Sequence, residues 1–125
     1  MQRIQITKCE AEVMEVVWAK GQVTVGDVVA AIDRDLAYTT IMTTMRILEE
    51  KEFLKRGEKI GRAYTYLPKV TREKVQGGML AELTDQLFGG SVRSLVLSLM
   101  KSEQISHAEV EALRLAAEKL EETDE

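Results

Sequence analysis

The sequence predicts a mainly α protein that carries one small β-hairpin. Helix starts are clearly marked, because at three places a capping hydroxyl precedes a carboxylate by three residues. The pairs are Thr7 with Glu10, Thr24 with Asp27, and Ser106 with Glu109. Alternating tyrosines near glycines, at Tyr64 and Tyr66, indicate the hairpin. After Thr71 the apolar residues recur at helical spacing and no strand pattern is present, so this part of the chain is predicted to be helical.

The N-terminal part predicts three helices in close succession. They run from about Thr7 to Lys20, from about Thr24 to Asp33, and from about Tyr38 to Glu52, and Gly21 ends the first. Two helices joined by a short turn form the supersecondary motif that reads DNA. The third helix is therefore the candidate recognition helix.

The predicted hairpin follows this motif as a wing. Its first strand is expected over Phe53 to Arg56, its turn over Gly57 to Gly61, and its second strand over Arg62 to Leu67, ended by Pro68. Tyr64 and Tyr66 are expected to pack in the core. Residues 1–70 are thus predicted to form a winged helix-turn-helix domain.

Residues 71–121 predict a three-helix domain, followed by an acidic tail at 122–125. Thr71 begins the first of these helices and Gly89-Gly90 end it, while Ser91 and Ser106 begin the other two. Gly77-Gly78 interrupt the first helix and predict either a kink or a close helix contact.

A second copy of the chain is expected to complete this C-terminal domain. A lone domain of about 50 residues is close to the size at which a core becomes marginal. We therefore predict a homodimer, which would also pair two reading heads for a two-fold symmetric operator. The alternative is that these helices fold back on the N-terminal domain, but the paired glycines favour an extended, jointed arrangement. The predicted dimerisation residues are Val75, Met79, Leu83, Leu87, Leu95, Val96, Leu99, Leu113 and Leu120.

Length and composition exclude several other classes of protein. At 125 residues the chain is too short for a large enzyme fold, and its apolar runs are too short to insert in a membrane. One cysteine and one histidine cannot form an intrachain disulfide or a four-ligand zinc site, so neither a metal nor a cofactor is expected. Without a signal-peptide pattern, the protein is expected to be cytoplasmic.

Charge is distributed unevenly along the chain. The net charge of −4 argues at first against nucleic acid, but Tyr38 to Lys74 holds nine Lys and Arg against five Asp and Glu. The acidic excess lies from Gln76 onward, where four basic residues face ten acidic ones. A local basic patch favours a binding surface, although an ordinary solvated face would show the same charges.

The third helix has an outward face that suits a major groove. Ile41, Thr44, Met45 and Leu48 share the predicted core face, and acid begins only at Glu49. Hydroxyls and methyl groups can meet phosphates and thymine methyls, and an arginine can bond guanine or phosphate. Basic wing residues, which include Arg56, are expected to position the protein on the backbone. The predicted DNA-binding residues are Thr24, Thr39, Thr40, Met42, Thr43, Arg46, Lys55, Lys59 and Arg62.

Two other functions fit parts of the sequence. A winged helix can serve as a protein-interaction adaptor without binding DNA, because fold does not determine function. An enzyme is disfavoured, because His107 has no nucleophile arranged near it in the pattern. Cys9 in the first turn of the first helix is either a redox-sensitive thiol or a structural cysteine.

Four segments in order carry a family resemblance. They are Glu10 to Trp18 in the first helix, Thr40 to Thr43 with Leu48 in the third, Gly61 to Tyr66 in the wing, and Gly89 to Leu97 followed by Ser106 to Arg114. In their order and spacing the chain resembles the penicillinase-repressor and methicillin-resistance-regulator (BlaI/MecI) family over essentially its whole length.

The resemblance implies a repressor that dimerises through its C-terminal helices and binds a palindromic operator of a resistance or stress operon. It also implies release by cleavage within those helices, triggered by a membrane-bound sensor with a zinc-protease domain. The family's scissile Asn-Phe pair falls on Ser98-Leu99 here, which departs from the family pattern. Copper-sensing relatives carry clustered C-terminal cysteines, and this chain lacks them.

Overall fold

The computed structural model describes residues 5–102 and 105–123, and in that part the chain forms six helices and two strands. The elements are α1 (Lys8–Lys20), α2 (Val25–Ala31), α3 (Tyr38–Glu50), β1 (Leu54–Ile60), β2 (Ala63–Pro68), α4 (Arg72–Leu87), α5 (Val92–Lys101) and α6 (His107–Thr123). The strands form a two-stranded antiparallel sheet. The predicted fold class, mainly helical with a small β-wing, is confirmed.

The predicted caps begin the helices where expected. Thr7 and Thr24 each accept a hydrogen bond from the backbone of the carboxylate three residues on, and that carboxylate bonds back to the cap. Both α2 and α3 end two residues earlier than predicted. Extended backbone at Ile32 stops α2 after Ala31, and Glu52 adopts a positive φ of 66° that turns the chain out of α3.

The described residues up to Met79 form an N-terminal unit with one apolar core, to which every element up to the start of α4 contributes. The predicted inner face of α3 is confirmed, since Ile41, Thr44, Met45 and Leu48 are all buried. They pack with residues of α1, α2 and the hairpin; the main ones are Val13, Met14, Val17, Val28, Leu54 and Tyr66. Trp18 lies at the margin of this core, where its indole N–H donates to the Val70 carbonyl at 2.9 Å.

Val75 corrects both the predicted interface and the predicted domain boundary. Val75 is one of the predicted dimerisation residues, but its side chain is buried in the core of the N-terminal unit. The described residues up to Met79 form one compact unit, and those from Leu80 form a second. The first turns of α4 therefore belong with the winged helix, because Val75 completes its core.

The hairpin turn lies later than predicted. Instead of a turn over Gly57 to Gly61, β1 continues to Ile60 and pairs with Ala63, so that Gly61 and Arg62 form a two-residue turn. The strands remain paired beyond Gly57 because a β-bulge shifts the register between Arg56 and Lys59. At the bulge, two residues of β1 lie opposite one residue of β2. Gly61 takes a positive φ of 63°, as a tight hairpin turn requires.

We expect Gly57→Ala to destabilise the protein by about 1–3 kcal/mol. A Cβ at this position would strike the Leu67 side chain and the buried Thr65 hydroxyl. That hydroxyl is not free to move, because it donates to the Glu58 carbonyl at 2.6 Å. Urea denaturation measures the loss. Gly61→Ala is the control: its Cβ would meet nothing, so only its positive φ should cost about 1 kcal/mol. Equal losses in the two variants would contradict the packing argument.

A buried carboxylate joins the start of α1 to the end of α3. Glu10 is 3% exposed, accepts from the Thr7 backbone, and is paired with Lys51 Nζ at 2.8 Å. Burial alone would raise the pKa of Glu10, but the hydrogen bonds from Lys51 and Thr7 outweigh burial and hold that pKa below its ordinary value. Glu10 is therefore charged in the folded protein and contributes stability through that charge.

We expect Glu10→Gln to lower the free energy of unfolding by about 1–2 kcal/mol at neutral pH. Because the folded-state pKa is depressed, the contribution of Glu10 is present above its unfolded pKa and is lost as pH falls through the folded one. The stability of the wild type should thus decline more steeply than that of the variant below about pH 4.5. Urea denaturation at a series of pH values tests this. Glu12→Gln, in an exposed pair with Arg34, is the control for a smaller loss.

The C-terminal unit consists of the second half of α4 with α5 and α6. Gly77 does not break α4, which runs unbroken from Arg72 to Leu87, and a Cβ on Gly77 would meet no neighbour. Gly89 and Gly90 end the helix with positive φ values of 58° and 80°, as predicted. Ser91 caps α5, and Ser106 exchanges hydrogen bonds with Glu109 at the start of α6. Among the described helices, none has the length and apolar character to span a bilayer.

Candidate nucleic-acid interface

The outward face of α3 presents the side chains that the sequence predicted. Thr39, Thr43 and Arg46 are exposed and Met42 is half-buried. Thr40 is also exposed, and its carbonyl accepts from the buried Thr44 hydroxyl at 2.8 Å. This face therefore offers hydroxyls, methyl groups and one guanidinium, which are the groups that contact base edges and phosphates.

The N-terminus of α3 is open to an anion. Its cap is Ala37, which has no side chain that can hydrogen-bond the first-turn N–H groups, and the first turn contains no acid. By contrast, α1 and α2 close their N-termini with a threonine and a carboxylate. Unpaired N–H groups and the positive end of the helix dipole favour a phosphate at this position.

A groove of about 230 Å³ lies between α3 and the hairpin. Arg46 and Tyr38 line it from α3, and Arg56, Arg62 and Tyr64 line it from the hairpin. Its remaining lining residues are Val25, Met42, Ala63 and Tyr66. None of these residues is acidic, and three of them are arginines. An arrangement of this kind suits a nucleic-acid phosphate.

Arg56 is the most firmly held of the three arginines. Its Nη2 donates to Glu49 Oε1 of α3 at 3.1 Å, and its guanidinium lies 4.8 Å from the Tyr64 ring centre and 5.8 Å from that of Tyr66. The neighbouring Tyr66 and the carboxylate of Glu49 raise the pKa of Arg56 above its ordinary value. Arg56 therefore links the hairpin to α3 as a permanent cation.

The structure separates the predicted wing residues. Arg62 lies in the turn and lines the groove, and Lys59 Nζ lies 5.2 Å from the Tyr64 ring centre. Lys55 is exposed but pairs with Leu67, on the opposite face of the hairpin from Arg56 and Tyr66. The expected contribution of Lys55 to the same surface is thus not supported by its position. Thr24 is half-buried as the cap of α2 and is not a lining residue of the groove.

Six residues that line the groove were not among the predicted DNA-binding residues. They are Val25, Tyr38, Arg56, Ala63, Tyr64 and Tyr66. Tyr66 is buried as expected, but the expectation that Tyr64 packs in the core is wrong, because 45% of its surface is exposed. The local charge signal already included Arg56. What the sequence did not show was the face of the hairpin on which it lies.

Comparison with known proteins decides the family. The family described as "Penicillinase repressor" matches residues 6–119 of the chain. The chain belongs to the penicillinase repressor family. The penicillinase repressor of Staphylococcus aureus is 29% identical over 114 residues, which cover 90% of each chain. The methicillin resistance regulatory protein MecI of Mammaliicoccus sciuri is 28% identical over 112 residues, covering 88% of this chain and 90% of the relative.

Solved structures share the fold of this penicillinase repressor family member. A mutant of the MepR protein of S. aureus superposes with a TM-score of 0.52 at 17% identity, covering 96% of this chain and 81% of its own. A mutant of MarR from E. coli gives 0.51 at 15% identity, covering 94% and 79%. Family membership makes the protein a DNA-binding repressor rather than an enzyme. His107, for which the sequence predicts no catalytic role, lies exposed at the start of α6.

The second half of α4, α5 and α6 of this family member expose their apolar residues. Of the predicted dimerisation residues beyond Val75, Leu95 and Val96 are half-buried and the others are exposed. The exposed ones are Met79, Leu83, Leu87, Leu99, Leu113 and Leu120. No residue of α5 is buried. Ser98 and Leu99 lie in the C-terminal half of α5, and both are exposed.

Proposed function

We propose that the protein represses a resistance or stress operon by binding a palindromic operator as a homodimer. One observation carries the proposal: a groove with three arginines and no acidic lining residue lies beside the hydroxyl-rich outward face of α3. An overall charge of −4 would oppose binding to DNA if it were spread evenly. The charge is instead uneven, and three arginines lie together at this one surface.

In this proposal α3 enters the major groove. Thr39, Thr43 and Met42 contact base edges and thymine methyls, and Arg46 bonds a guanine. Thr40 and Thr24 lie near the backbone as hydroxyl donors, and Arg62 and Lys59 of the wing bind phosphates. Phosphate contacts set the register of α3 on the duplex without specifying sequence.

The proposed dimer uses the exposed leucines of the C-terminal helices. Leu83, Leu87 and Leu113 are each at least 40% exposed, and helices of this size cannot bury such side chains within one chain. A two-fold symmetric partner covers them and places two recognition helices at two half-sites. Membership of the penicillinase repressor family supports a dimer.

The test is binding of the purified protein to its own promoter. We expect a symmetric footprint, strong preference over a shuffled duplex, and affinity that falls steeply with salt. Equal affinity for both duplexes would refute the proposal. If a pull-down then found a protein partner and no footprint formed, the chain would be an interaction adaptor instead.

We propose that repression ends by proteolysis at Ser98-Leu99, performed by a membrane-bound sensor protease. The Ser98 carbonyl accepts a hydrogen bond from the Ser102 N–H at 3.1 Å. The peptide bond between Ser98 and Leu99 therefore lies close to the C-terminal end of α5. A protease binds the chain in extended form on both sides of the bond that it cuts, so the C-terminal half of α5 must unwind before cleavage. Co-expression with the candidate sensor, followed by mass spectrometry, should give fragments that meet between these residues. A cut elsewhere, or none, would contradict this route.

A further inference from the structure

The two cations of the hairpin that lie over Tyr64 come from positions that regular strand geometry would place on opposite faces. Arg56 and Lys59 are three residues apart in β1, and successive side chains of a strand alternate between faces. Nevertheless the guanidinium carbon of Arg56 lies 4.8 Å, and Lys59 Nζ 5.2 Å, from the centre of the same ring. The strand must therefore be irregular between them.

The irregularity is the β-bulge at Gly57 and Glu58. Arg56 pairs with Tyr66 and Lys59 with Tyr64, so two residues of β1 lie opposite Thr65 alone. Residues directly opposite in an antiparallel pair share a face. The bulge thus places Arg56, Lys59, Tyr64 and Tyr66 on one face of the hairpin.

The bulge is held by buried contacts. The hydroxyl of Thr65, which is 1% exposed, donates to the Glu58 carbonyl at 2.6 Å and accepts from Gln22 Nε2 at 3.0 Å. Gly57 permits the close approach, because a Cβ there would meet Thr65 and Leu67. These contacts lie on the face of the hairpin opposite Tyr64. One face of the hairpin is thus held in place by contacts of Thr65, and the other face carries Arg56 and Lys59.

We propose that Tyr64 is a positioning residue: its ring holds Arg56 and Lys59 in place to bind phosphates of the DNA backbone. The inference rests on the proposed function and extends it to a residue outside the predicted DNA-binding set. Exposure leaves the cations accessible, since 41% of the Arg56 side chain is open. A guanidinium has five N–H donors, and Glu49 takes one from Arg56, so donors remain for a phosphate.

The ring acts through its electron-rich π face, which attracts a cation electrostatically without neutralising its charge. Holding two long side chains near one orientation reduces the rotational freedom that they would lose on binding. A carboxylate in the same place would also hold them, but would compete with the phosphate. Arg56 already pairs with one carboxylate, that of Glu49, and the Tyr64 ring helps to position both cations without adding a second negative charge.

A double-mutant cycle tests the proposal. We expect Tyr64→Leu to weaken binding roughly three- to ten-fold and Tyr64→Phe, which keeps the π face, to stay within about two-fold of wild type. In an Arg56→Gln, Lys59→Gln background, Tyr64→Leu should have no further effect. Arg56→Gln alone should reduce the slope of log affinity against log salt by about 0.9 for each phosphate that the variant no longer neutralises. Lys20→Gln, at the exposed end of α1, is the control for loss of one charge.

Each variant is measured on the promoter duplex and on a shuffled duplex, with thermal unfolding as the check on folding. Because phosphates are common to all DNA, the Tyr64→Leu factor should be equal on both duplexes. An undiminished Tyr64→Leu effect in the background without Arg56 and Lys59, or an unchanged salt slope in Arg56→Gln, would overturn the proposal. If the wild type bound both duplexes equally while the Tyr64→Leu effect still depended on Arg56 and Lys59, the proposed operator binding would be refuted. The positioning role of Tyr64 would stand.

Discussion

Glutamates in place of Leu87 and Leu113 are expected to convert the proposed dimer to monomers and to weaken operator binding roughly 10²–10⁴-fold. The two side chains are 71% and 57% exposed in one chain, so a charge at either position is tolerated by the monomer. In a dimer interface the same charge would be buried without a partner, which is strongly unfavourable. Each monomer would then bind one half-site without the added affinity that a second, linked DNA-binding domain provides.

Sedimentation equilibrium and promoter titration measure the two effects on the same samples. Gln86→Glu is the matched control, because it adds the same charge next to Leu87 at an exposed polar position. We expect this control to remain dimeric and to bind the operator. A Leu87→Glu, Leu113→Glu protein that stays dimeric would show that the interface lies elsewhere. A monomer that binds as tightly as wild type would refute the linkage of dimerisation to operator binding.

Arg46→Ala and Arg62→Ala are expected to weaken binding in different ways although both arginines line one groove. Arg46 projects from the recognition helix, where a bidentate bond to guanine contributes about 1–3 kcal/mol of discrimination. Its loss should lower operator affinity roughly 5- to 150-fold per half-site and leave affinity for a shuffled duplex nearly unchanged. Arg62 lies in the wing turn, where a phosphate contact serves every sequence equally.

Competition titrations at several salt concentrations separate these roles. Arg62→Ala should weaken binding to both duplexes by the same factor and reduce the salt slope by about 0.9 for each phosphate left without its cation. Arg46→Lys is a further control, since it keeps the charge but not the planar fork that recognises guanine. If Arg46→Ala and Arg62→Ala change the ratio of operator to shuffled affinity equally, the division of roles is wrong.

The helix starts could be predicted because their causes are local. Thr7, Thr24, Ser91 and Ser106 each bond a backbone N–H three residues on, so the signal and its effect lie in one turn of chain. The inner face of α3 was predictable for a similar reason, because helical periodicity alone separates Ile41 and Met45 from Thr43. Predictions that depended on pairing between distant segments were less accurate.

The candidate site shows this contrast within a few residues. Tyr64 and Tyr66 follow the same alternating pattern in the sequence. Tyr66 is nevertheless buried and forms a β-bridge with Val23, whereas Tyr64 lies two residues nearer the turn and is exposed. The sequence pattern that predicts the hairpin does not indicate which part of the hairpin packs against the helices, so it does not predict which tyrosine is buried. Glu10 is similar: its capping role was visible in the sequence, but its pairing with Lys51, 41 residues away, was not.

The sequence by itself therefore determined the order and type of the elements, the core face of the recognition helix, the basic character of the segment from Tyr38 to Lys74, and the family. These properties depend on spacing, composition and local hydrogen bonds. Only the tertiary structure decided that Val75 packs in the winged-helix core, that the turn lies at Gly61 and Arg62, and that Lys55 faces away from the groove. The physical reason is that all three depend on pairing or packing between segments that are distant in sequence. In β1, for example, one extra residue reverses the faces of the residues that follow it, and the hydrogen bond from the Thr65 hydroxyl to Glu58 holds that residue in place.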